Sequence, residues 1–62
     1  MNTTPELLTV REAAQALRCS RHQIYKLSER RELRHIKAGN RLLFRPEDLS
    51  AYLDANVREV LA

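Results

Sequence analysis

Apolar residues recur at helical spacing in three stretches of this chain, and a fourth stretch alternates instead. Val10, Ala13, Ala14 and Leu17 stand at i, i+3, i+4 and i+7, one stripe on a helix of about two turns. Thr9-Val10-Arg11-Glu12 marks its start as a capping box, with the Thr9 hydroxyl and the Glu12 carboxylate each satisfying a backbone N–H. The two alanines let another helix approach closely. A helix this short is held by packing, since it is not stable alone.

Ser20-Arg21-His22-Gln23 repeats the start signal after the turn Arg18-Cys19-Ser20, with Cys19 expected to point inward. The second helix is predicted to run to about Arg30. Ile24 and Leu27 are its inward positions, while Arg21, His22, Gln23, Tyr25, Lys26, Glu29 and Arg30 take the rest of its surface. So narrow an apolar face leaves most of the helix to water or a ligand.

The period then changes. Leu33, His35 and Lys37 alternate with Arg34, Ile36 and Ala38, and Gly39-Asn40 precedes Arg41-Leu42-Leu43-Phe44, which predicts a β-hairpin lying against the helices. Arg45-Pro46-Glu47-Asp48 opens a third helix, with proline at a tolerated first position and two acids where the helix dipole favours them. Leu49, Tyr52 and Leu53 are expected to complete the core. Val57, Val60 and Leu61 continue the stripe, either capping the protein's own core or offering a protein–protein surface. The expected organisation is a flexible N-terminus (1–6), one domain (7–55) and a C-terminal helical extension or tail (56–62).

Sixty-two residues allow one thin core. A domain of this size buries only about 60% of the surface its unfolded chain exposes. Cys19 is the only cysteine, so no intramolecular disulfide can form, and Cys19, His22 and His35 match no zinc spacing. No cofactor or metal is expected. Nothing forms a paired-carboxylate or nucleophile–base set, so an enzyme is not expected either. Neither a signal peptide nor a membrane span is readable, and cytoplasm is the expected compartment.

Charge adds direction to this outline. The net charge is +3, but residues 11–45 carry ten Lys or Arg against three Glu, whereas residues 46–62 carry four acids against Arg58. A basic middle beside an acidic end points to one positive face, although an ordinary solvated surface is the competing explanation. Nine of the eleven cations are Arg, whose planar fork suits phosphate and base edges.

Three local signatures belong together: Glu12-Ala13-Ala14 in the first helix, Ser20-Arg21 opening the second, and Phe44-Arg45-Pro46-Glu47-Asp48-Leu49 entering the third. In that order, with a basic Gly-containing tip between them, the chain resembles the excisionase and MerR-like winged helix-turn-helix DNA-binding family over about residues 7 to 54. The resemblance implies a mainly α fold with a small β-hairpin: helix, turn, helix, hairpin wing, helix. It implies sequence-specific binding to double-stranded DNA, with the second helix in the major groove and the wing on the backbone or in the adjacent minor groove. Ser20, Arg21, His22, Tyr25 and Lys26 then form the recognition-helix set. Arg30, Arg31, Arg34, Lys37, Asn40 and Arg41 form the backbone and wing set. Small proteins of this family are often phage recombination directionality factors, which bind cooperatively, bend attachment-site DNA and steer an integrase towards excision. Others are small MerR-like transcriptional regulators. A protein-interaction module using Val57, Val60 and Leu61 is the reading of another class. The family often has Gly where Arg18 and Arg31 stand. A left-handed backbone at these places costs each Arg about 1 kcal/mol relative to Gly.

Overall fold

The computed structural model describes residues 6–57. A short strand β1 (Leu8–Thr9) leads directly into helix α1 (Val10–Leu17), followed by α2 (Arg21–Glu29), strands β2 (Ile36–Ala38) and β3 (Arg41–Phe44), and helix α3 (Pro46–Ala55). The fold is a winged helix-turn-helix: three helices and a small antiparallel sheet.

The α1 capping box closes as expected. The Thr9 N–H donates to Glu12 Oε1 at 2.9 Å, and the Glu12 N–H donates to Thr9 Oγ1 at 3.1 Å. At α2 only half of the expected box forms. The Gln23 N–H donates to Ser20 Oγ at 3.1 Å, and the helix start carries no reciprocal bond from the Gln23 side chain. A carboxylate is the stronger acceptor, which favours closure by Glu12 over closure by the neutral Gln23 amide.

Both helices end in the same six-residue device. Arg18 has φ 57° and Arg31 has φ 61°, each left-handed. After α1, Cys19 N–H donates to Ala14 O at 2.9 Å and Arg18 N–H to Gln15 O at 3.2 Å. After α2, Glu32 N–H donates to Leu27 O at 2.9 Å and Arg31 N–H to Ser28 O at 3.1 Å. These are paired 6→1 and 5→2 bonds, the Schellman pattern that usually takes glycine at the left-handed position.

The wing has more strands and shorter ones than the sequence predicts. Its sheet has the order β1-β3-β2, so the hairpin is extended by a strand that the alternation of polar and apolar residues does not announce. Leu8 pairs with Phe44 and Thr9 with Leu43 on one side of β3; Ile36 pairs with Leu43 and Ala38 with Arg41 on the other. The strand expected from Leu33 begins only at Ile36. Glu32 and Leu33 both donate to Leu27 O, and this commits them to the end of α2 rather than to a ladder. Gly39, at φ 65°, is the first of two residues joining β2 to β3; no atom crowds a Cβ there, so the demand on it is conformational.

The core gathers Val10, Ala13 and Ala14 of α1, Ile24 and Leu27 of α2, Leu33, Phe44 and Leu49. Phe44, Ile24 and Leu33 are its largest fully enclosed side chains, each contributing about 1.5–3 kcal/mol through burial. Cys19 is half-buried against this cluster, in line with its expected inward orientation. The expectation for Leu53 needs correction. Leu49 is buried and Tyr52 packs against the core, but Leu53 is 49% exposed. It lies one helical step beyond the turn that reaches the body. Helix α3 ends at Ala55, and Val57 follows it with 66% of its surface exposed. Val57 therefore does not continue the helix. Val60, Leu61 and the expected flexible N-terminus, apart from Glu6, lie outside the described residues. Among the described residues no helix is long and apolar enough to cross a membrane.

Candidate nucleic-acid interface

Helix α2 buries Ile24, Leu27 and Ser28 and turns Arg21, His22, Tyr25 and Lys26 outward. The exposed residues fall into two i, i+4 pairs, and each pair borders its own groove beside the wing. Arg21 and Tyr25 share a groove with Asn40 and Arg41 of the wing tip. His22 and Lys26 share another with His35 and Lys37 of the wing shoulder, where Glu29 and Tyr25 also contribute. Ser20, Arg21, His22 and Tyr25 line the open face at the start of α2. The hairpin thus brings Lys37, Asn40 and Arg41 of the expected backbone and wing set beside Arg21, His22, Tyr25 and Lys26, while Ser20 stays apart from it.

A third groove, beyond the end of α2, joins Arg31 and Arg34 to Glu29 and His35. Arg30 is exposed but lines none of these grooves, so it stands apart from the rest of the expected backbone set. Val57 likewise lines none of them.

Charge pairing sharpens the electrostatics. Among the described residues the only ion pairs are those of Arg45, with Asp48 at 2.7 Å and Glu47 at 3.7 Å. Arg45 therefore leaves the basic face, and the nine cations from Arg11 to Arg41 have no acidic partner among the described residues. Nine unpaired positive charges on so small a body raise a positive potential suited to a polyanion.

Two side chains take on more than the sequence suggests. His35 lines two of the grooves, with its ring 6.4 Å from that of Phe44 and tilted by 56°. Its Nδ1 lies 3.3 Å from the Leu33 carbonyl, which accepts from the Nδ1–H tautomer and holds the ring in place. Arg11, absent from the expected set, lines the groove of Arg21 and Arg41. No local motif singles it out, because its neighbours there come from elsewhere in the chain.

A family model described as a helix-turn-helix domain matches residues 7–57, most of the chain. No curated protein and no solved structure matches it.

Proposed function

The chain belongs to the helix-turn-helix domain family, which implies binding to double-stranded DNA, and from that premise we propose that it is an excisionase-like architectural protein. In this reading it binds attachment-site DNA cooperatively, bends it and directs a tyrosine or serine integrase towards excision, acting on DNA in the cytoplasm of a bacterial host. The DNA-binding unit is residues 7–55.

The observation that carries the reading is the arrangement of unpaired cations. They flank the outward face of α2 on both sides and continue onto the wing, so one positive surface joins the helix to the hairpin. His22 and Lys26 face base edges from α2; lysine commonly reads guanine O6 and N7. Arg31, Arg34, Lys37 and Arg41 contact phosphates, which fix position without reading sequence. With about 4–6 such contacts, log K falls against log[salt] with a slope of about −4 to −5.

One module of this size reads few base pairs. Specificity then comes from copies on adjacent sites, from DNA deformation or from a partner protein. Gel-shift titration on attachment-site duplexes, with circularly permuted fragments to report bending, tests the proposal. Cooperative, bent complexes are expected; absence of binding at low salt overturns it. Binding to an operator without bending supports instead a small MerR-like transcriptional regulator.

The exposed Leu53 and Val57 favour a second, compatible reading, a protein-interaction surface at the end of α3.

A further inference from the structure

The groove that contains Arg11 is assembled from three elements. The β1–β3 register pairs Leu8 with Phe44 and Thr9 with Leu43, so the chain draws level with the start of β3 as it enters α1. Arg11, the second residue of α1, is thereby carried to the side of Arg41. Arg21 and Tyr25 of α2 and Asn40 of the wing tip also line it. The acid next to Arg11 in sequence, Glu12, does not line the groove; its Oε1 accepts from the Thr9 N–H in the capping box.

Three arginines, a tyrosine and an asparagine therefore border one groove that no carboxylate lines among the described residues. The groove of His22 and Lys26 and the one beyond the end of α2 both include Glu29, which repels an anion. Like charges gathered without a counter-ion favour an anionic occupant, and the forked geometry of Arg favours phosphate oxygens. Tyr25 and Asn40 add neutral donors of the kind that contact DNA phosphates.

We propose that this groove receives a single backbone phosphate of duplex DNA, with Arg11 as a contact from α1, an element outside both the recognition helix and the wing. The proposal rests on the DNA-binding reading and assigns one of its anchor points. Arg11 fixes the rotation of the module on the duplex, because it holds the backbone from the opposite side of Tyr25 to His22 and Lys26.

The test compares the intact chain with R11Q and R11K on one duplex, first across a salt series and then with uncharged methylphosphonate linkages placed singly along each strand. Thermal melts that match the parent confirm that the variants fold. In R11Q the salt slope should fall by about 1, while R11K keeps the slope and loses affinity. One linkage, or two adjacent ones, should weaken the parent about 5–10-fold, equivalent to about 1–1.4 kcal/mol, and weaken R11Q distinctly less, because Arg21 and Arg41 still face that phosphate. An unchanged slope in R11Q, or neutral linkages that weaken the parent and R11Q equally, overturns the assignment while leaving DNA binding intact. A parent chain that binds no duplex overturns both.

Discussion

Arg45 and Asp48 close a two-bonded ion pair at the junction of β3 and α3: Nε donates to Oδ2 at 2.7 Å and Nη2 to Oδ1 at 2.9 Å. Asp48 is 6% exposed, and Arg45 is half-buried. The hydrogen bonds from Arg45 hold the Asp48 carboxyl below the usual carboxylate range, against the opposing effect of burial, with smaller help from the charges of Arg45 and Arg34. The same bonds raise the Arg45 guanidinium above its ordinary value. Arg45 is also the residue preceding α3, so the pair locks the wing to the third helix.

D48N should therefore destabilise the fold, lowering Tm by roughly 4–8 °C, about the effect of 1 kcal/mol in a domain of this size. The sign with pH follows from the depressed carboxyl. Its contribution is complete above the ordinary aspartate value of about 3.9 and is lost as pH falls through the lower folded-state value. Melting curves of parent and D48N should converge below about pH 4; a gap that stays constant to lower pH contradicts the assignment.

Much of the helical outline could be read locally and much of the site could not. The Thr9–Glu12 box, the Ser20 cap and the Gly39 turn are contained within a few residues, so their chemistry is visible in the chain. Strand β1 is two residues without alternation, and only its partner β3, far along the chain, makes it a strand. Glu47 and Asp48 read as acids suited to a helix start, yet Asp48 is turned inward by Arg45. Leu53 lies on the apolar stripe but projects past the body that would cover it. Arg11 depends on three elements meeting, which no spacing encodes.

Glycine at the two left-handed positions gives a second prediction. R18G and R31G should each stabilise the protein by about 0.5–1 kcal/mol, relief of left-handed strain being partly offset by a more flexible unfolded chain. Their effects on DNA should differ. Arg18 borders none of the grooves beside α2, so R18G should leave affinity unchanged, whereas R31G should reduce the salt slope by about 1. Denaturant melts and salt-series titrations on both variants provide the check.

The division between reading and positioning is tested by K26A and R41A. K26A should narrow the affinity gap between the preferred duplex and an unrelated one by about 1–3 kcal/mol. R41A should weaken both duplexes alike. Identical effects of the two changes on every duplex contradict the assignment of Lys26 to bases and Arg41 to phosphate.

Core and exposed leucines on α3 should respond differently. L49A should cost about 2–5 kcal/mol, close to unfolding a domain this small. L53S should stay within about 0.5 kcal/mol. If Leu53 and Val57 form a protein interface, the L53S/V57S double variant should lose association in sedimentation while its melting curve is unchanged. Association that persists removes that interface.

Strand β1 ends at Thr9 and α1 begins at Val10, so no linker separates the sheet from the helical pair. The hairpin is thus splined to the helix-turn-helix through β3, and the ion pair of Arg45 pins its far end to α3. Such coupling leaves the hairpin and α1 little room to shift relative to one another. On a duplex whose curvature does not suit the protein, the compliance must come from the nucleic acid, and sequences that flex easily would be bound in preference to stiff ones with identical contacts.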